Sequence, residues 1–144
     1  KLDAERGRIE LTYGDVKCSA ALDLSDPKIA KVTYALLTPT DQRVEAHVTL
    51  LPEMKAKWRT ASGKSGTLSA KELTLAAGEA GEWFEHSGWR ITVPPQASLT
   101  WPVLPHNPYT KDGHAEPREG RIVMTLPFSR DVMKYELLIE SSEH

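Results

Sequence analysis

Ile9-Glu10-Leu11-Thr12-Tyr13-Gly14-Asp15-Val16-Lys17-Cys18-Ser19-Ala20-Ala21-Leu22 is the stretch that decides the fold. Apolar side chains stand at 9, 11 and 13, then at 16, 18, 20 and 22, with Leu24 just beyond. The repeat is two residues, the period of a pleated strand, whose successive side chains point to opposite faces. Parity changes once, across Gly14-Asp15. A tight turn or a bulge produces such a change, because glycine tolerates the positive φ that either one needs. Two strands are therefore expected, each with one apolar face, and Ser25-Asp26-Pro27 closes the second with turn chemistry.

The same period extends outward along the chain. Val32, Tyr34 and Leu36 alternate, Pro39-Thr40-Asp41-Gln42 reads as a turn, and Val44, Ala46, Val48 and Leu50 follow. A strand near 30–38 and another near 43–51 are expected to form a hairpin. Pro52 ends it, since proline cannot donate to a central ladder. Met54, Ala56 and Trp58 alternate with Lys55, Lys57 and Arg59, the pattern of an edge strand protected by outward basic side chains. Beyond the flexible Ser62-Gly63-Lys64-Ser65-Gly66 loop, Leu68, Leu73 and Leu75 mark short strands. A capping-box pattern at Ser69-Ala70-Lys71-Glu72 competes there for a short helix near 70–77. The strand is preferred, because Leu73-Thr74-Leu75 runs out into Ala77-Gly78-Glu79.

Further on, Trp83 and Phe84 lead to Ser87-Gly88, and Trp89, Ile91 and Val93 alternate up to Pro94-Pro95. Ala97, Leu99 and Trp101 precede Pro102; Ile122, Met124 and Leu126 precede Pro127; Tyr135, Leu137 and Ile139 form the last strand. Eight or nine short strands with regular turn signals and no long amphipathic helix predict one all-β domain over 1–144. The expected architecture is an antiparallel β-sandwich, immunoglobulin-like or jelly-roll-like. The 144 residues, 40% hydrophobic and 26% charged, suit a single globular unit. The lone Cys18 shares the parity of Val16, Ala20 and Leu22 and reads as a small core hydrophobe, not a reactive thiol.

Two passages resemble strand-turn-strand segments of immunoglobulin-like and fibronectin-like accessory domains. They are Glu72-Leu73-Thr74-Leu75-Ala76-Ala77-Gly78-Glu79 and Ile91-Thr92-Val93-Pro94-Pro95-Gln96-Ala97-Ser98. The cysteine pair of true immunoglobulin domains is absent, and no family is assigned.

Several function classes are disfavoured. A formal net charge of −2 creates no strong field for nucleic acid. No apolar run approaches the roughly 18 residues of a membrane span. The chain has no G-x-S-x-G elbow, P-loop, Rossmann glycine run or H-E-x-x-H, so a non-enzyme without cofactor is expected. The basic segment 53–71 lies beside the acidic stretch 72–85, which raises head-to-tail charge complementarity between molecules against the plainer reading of two solvated faces.

The long segment from Pro102 to Gly120 is the candidate binding region, since long loops in compact domains are often functional. The residues singled out for ligand contact are Trp101, His106, Asn107, Tyr109 and Asp112. A glycan surface would use aromatic faces from Trp83, Trp89, Trp101 and Tyr109 and polar groups from His106, Asn107 and Asp112. Against it, Trp89 and Trp101 share the parity of neighbouring core residues, which favours burial. A metal site from His106, Asp112, His114 and Glu116 matches no zinc or calcium spacing, and none is expected. The function expected is a non-catalytic binding or accessory module, secreted or periplasmic and associated with polysaccharide or surface glycan. The alternative is a structural subunit or interaction domain of a surface assembly.

Overall fold

A computed structural model describes residues 5–106, 109 and 112–142. Twelve strands follow in chain order: β1 (Arg6–Tyr13), β2 (Val16–Asp26), β3 (Ile29–Leu36), β4 (Glu45–Leu50), β5 (Lys57–Thr60), β6 (Ser65–Thr67), β7 (Leu73–Leu75), β8 (Trp83–His86), β9 (Trp89–Thr92), β10 (Ser98–Val103), β11 (Arg121–Pro127) and β12 (Lys134–Ser141). They form an eight-stranded sheet, β1-β2-β3-β12-β9-β8-β5-β6, and a four-stranded sheet, β4-β11-β10-β7. Every pairing is antiparallel. The all-β, sandwich-like fold is as expected, with twelve strands in place of the eight or nine anticipated. Among the described residues there is no α-helix, so none is long and apolar enough to cross a membrane.

Local chemistry accounts for the elements. The parity change at Gly14-Asp15 is a two-residue hairpin in which Tyr13 pairs with Val16. Gly14 has φ +59 and Asp15 does not share its positive φ, the arrangement of a turn with glycine at its first central position. Ser87-Gly88 is a second two-residue turn, with φ of +50 and +80. Between 70 and 77 the chain forms β7, the strand preferred on sequence grounds. Pro102 does not end β10 but sits at a register break between Thr100 and Val103, beyond the last residue that β7 pairs.

Two expectations are overturned. The basic strand is not an edge: β5 is paired on both sides, with β8 and with β6, and the three-residue β6 takes the edge because the chain turns back after Thr60. The strands near 30–38 and 43–51 exist, but they do not form a hairpin. β3 pairs with β2 and β12 in the larger sheet, while β4 pairs with β11 in the smaller one. Segment 37–44 crosses from one sheet to the other. An inward-facing period of two is satisfied equally by two strands of one sheet and by two strands facing each other, so periodicity alone could not choose.

The core lies between the sheets. Phe84, Ile91, Tyr135 and Leu137 from the larger sheet face Val48, Leu50, Leu75, Leu99, Trp101, Ile122, Met124 and Leu126 from the smaller. Leu68, Ala80, Val93 and Ala97, outside the strands, complete the buried cluster. Burying a side chain of this size stabilises the fold by roughly 1.5–3 kcal/mol. The larger sheet has twice as many strands as the smaller one that faces it, so part of its inner face has no cover.

Candidate functional site

The loop flagged in the sequence is assembled differently from the expected glycan surface. β10 carries Trp101 into the core, where it is 1% exposed and its Nε1 donates to the Ser69 carbonyl at 2.8 Å. A ring so enclosed presents no face to a sugar, and Trp101 serves as a core anchor. His106 and Asp112 are exposed, and Tyr109 is 95% exposed. Asn107 lies outside the described residues. The His106 ring sits against Gly113, where a Cβ would lie 2.2 Å from its Nδ1. Asp112 folds the loop by accepting the His114 N–H at 3.0 Å. Glu116 and Glu119 close a short 3-10 turn at Pro117–Glu119, the Glu116 N–H donating to Glu119 at 2.7 Å. Asp112, Glu116 and Glu119 are thus engaged in shaping the loop. Among the described residues, no group of three or more His, Cys, Asp or Glu side chains converges as a metal site.

The remaining tryptophans are split between the two faces of the larger sheet. Trp58 stacks on Phe84 with ring centroids 6.1 Å apart, and Trp89 packs on Phe84 at 6.1 Å and edge-on to His86 at 5.8 Å. Trp83 lies on the outer face of the larger sheet beneath the Arg90 guanidinium, 3.9 Å from the ring centroid, with Arg59 at 5.4 Å. Glu85 holds both arginines: Arg59 Nε at 2.7 Å, and Arg90 Nε and Nη2 at 3.0 and 2.8 Å. The hydrogen bond from Arg59, seconded by that from Arg90, keeps the Glu85 carboxyl below the ordinary carboxylate range against the opposing effect of burial. Beside this cluster is a shallow recess of about 470 Å³, lined by Trp58, Arg59, Gly66, Glu85 and Ser87 among others. Lys64 also meets Glu79 at 3.4 Å. The basic segment and its acidic neighbour therefore answer each other within the molecule at these two places.

A different surface stands out, one the sequence reading did not single out. The hairpin of β1 and β2 extends the larger sheet past the smaller one. Ile9 (56% exposed), Leu11 (44%), Tyr13 (68%), Leu22 (42%) and Leu24 (50%) have the parity of the sheet's inner face. Rows of paired residues show the transition. Gly7, Leu22, Val32 and Leu137 are consecutive neighbours across four strands, as are Ile9, Ala20, Tyr34 and Tyr135. Each row passes from exposed or half-buried positions on the hairpin to full burial at Leu137 and Tyr135, 0% and 4% exposed. The apolar floor of the core thus runs out from under its roof. Cys18 lies on this floor and is half-buried.

The opposite face of the hairpin is polar and ion-paired. Arg8 Nη1 meets Glu10 at 2.9 Å, and Arg6 Nε meets Asp23 at 3.2 Å. Seryl and backbone hydrogen bonds from Ser25, ahead of Arg6, hold the Asp23 carboxyl below its ordinary value. These side chains keep one face of the ribbon polar, in contrast to the exposed apolar face opposite. The sequence carried the alternation but not its consequence, because apolar parity looks the same on a covered strand and on an uncovered one. Compared with protein-family models, curated proteins and solved structures, the chain matches none of them.

Proposed function

We propose that this chain is a non-catalytic interaction module that docks a protein partner on the β1–β2 ribbon. The observation carrying this reading is the run of five large apolar side chains, Ile9, Leu11, Tyr13, Leu22 and Leu24, left open to water on one continuous face. Scattered exposed hydrophobes are ordinary, but a contiguous patch next to a strand edge is the usual mark of an association surface. Removing such surface from water contributes roughly 25 cal/mol for each Å² of apolar area. The ribbon also offers backbone groups along an open edge, the means by which sheets add a strand from a partner.

The test is a variant carrying Leu11→Lys and Leu22→Lys, compared with the parent for binding of an anilinonaphthalene-sulfonate probe in dilute solution. The expected result is an unchanged far-ultraviolet circular dichroism spectrum and loss of most probe binding. Equal probe binding by parent and variant would remove the ribbon as a docking surface. An unfolded variant would show that these residues belong to the core.

A further inference from the structure

The sandwich has four strand edges among its described residues: β6 and β7, each of three residues, β4 of six and β1 of eight. β1 is the longest, and its backbone polarity follows from its turn. Tyr13 and Val16 close a two-residue hairpin, which makes them a hydrogen-bonded pair, and such pairs recur at every second residue. The backbone groups of residues 7, 9, 11 and 13 therefore point at β2, in agreement with the Glu5 carbonyl accepting from the Leu24 N–H at 2.7 Å. Those of Arg8, Glu10 and Thr12 point away from β2, toward the open edge.

We infer that a second copy of this chain pairs with β1 across a two-fold axis at Ile9, antiparallel, with Arg8 of each copy opposite Glu10 of the other. This rests on the ribbon being a docking surface, and names its occupant. Two identical antiparallel strands related by a two-fold axis must pair residues whose numbers sum to a constant. With the axis at Arg8, arginine opposes arginine. With it at Glu10, glutamate opposes glutamate. With it at Gly7, Arg8 meets Arg6. With it at Ile9, both charge pairs become opposite in sign, and the outward-pointing backbone groups of Arg8 and Glu10 become hydrogen-bonded partners. The Arg8–Glu10 ion pair within each strand then becomes one side of a ring of four alternating charges.

The inner face agrees with the same register. Ile9 meets Ile9 of the other copy, and Leu11 lies opposite Gly7, whose lack of a side chain gives it room. The two uncovered floors join into one apolar surface between the two smaller sheets. Like-charged lysines are a common device for keeping an edge single, and β1 carries instead a self-complementary arginine and glutamate.

The test uses sedimentation velocity over a concentration series on the parent, on Arg8→Glu, on Glu10→Arg and on an equimolar mixture of the two variants, each first checked for fold by circular dichroism. The expected result is a concentration-dependent dimer for the parent and association weakened roughly tenfold or more in each single variant, since both cross-strand pairs become repulsive. The mixture should recover a heterodimer, because one variant presents two acids where the other presents two bases. A parent that stays monomeric up to its solubility limit overturns the proposal, while loss of probe binding in the Leu11→Lys, Leu22→Lys variant would still leave the ribbon as a surface for another partner. A dimer that both variants retain, or a mixture that gains nothing over its components, overturns the register.

Discussion

His86 shows how much one side chain is asked to do in this fold. It is 1% exposed, yet both ring nitrogens are engaged. Nε2 accepts the Glu53 N–H at 2.9 Å, so Nδ1 must carry the proton and donate it to the Lys57 carbonyl at 3.0 Å. One tautomer of the neutral ring satisfies both partners and ties the start of β5 to β8 through a segment with little regular structure. Replacing it leaves a backbone donor and a backbone acceptor without their partner and a void beside Trp89. His86→Ala should lower unfolding free energy by about 2–4 kcal/mol, measured by urea denaturation. Trp101 belongs to the same class of residue: a large ring whose one polar atom finds a backbone partner inside the core. Its aromatic, loop-adjacent character suggested ligand contact, whereas its parity with Leu99 pointed correctly to burial.

At the level of elements, the cross-strand ladder from β5 through β8 to β9 shows how polar residues brace an outer sheet face. Arg59 and Arg90 flank Glu85 on neighbouring strands, and Trp83 packs beneath them. Because the folded Glu85 has its carboxyl below the ordinary value near 4.5, its contribution to stability is fully present above that pH and is lost as pH falls through the lowered folded value. Glu85→Gln should therefore be less stable than the parent at neutral pH, and the gap should narrow as thermal melts are repeated downward from about pH 4.5. The ladder's strands were legible in the sequence. Its ion pairs were not, since residues 59, 85 and 90 converge only once the strand order is known.

At the level of the whole molecule, the decisive feature is the offset between an eight-stranded sheet and a four-stranded one. Two leucines in the same cross-strand row measure it. Leu137 is fully buried under the smaller sheet, whereas Leu22 stands at the uncovered end. Leu137→Ala should cost about 2–5 kcal/mol in chemical denaturation and Leu22→Ala about 1 kcal/mol or less. Near-equal costs would mean that the ribbon is covered after all. The offset also explains why the exposed apolar face of the ribbon lies away from the loop that the sequence singles out. Aromatic residues near Pro102–Gly120 drew attention, but the fold spends Trp101 on packing and the loop's Asp112 on a turn, and the open apolar surface lies elsewhere.

What the sequence determined by itself is the state of the backbone. A two-residue apolar period, broken by Gly14-Asp15, Ser87-Gly88 and the prolines, can be satisfied only by short pleated strands, because no other regular structure returns every second side chain to one face. What only the tertiary structure decided is which strands are neighbours and which apolar faces are covered. Alternation is a local property, while pairing and cover depend on contacts between residues far apart in the chain. Ile9 and Leu137 carry the same inward parity, and only the extent of the opposing sheet makes one a core residue and leaves the other in water.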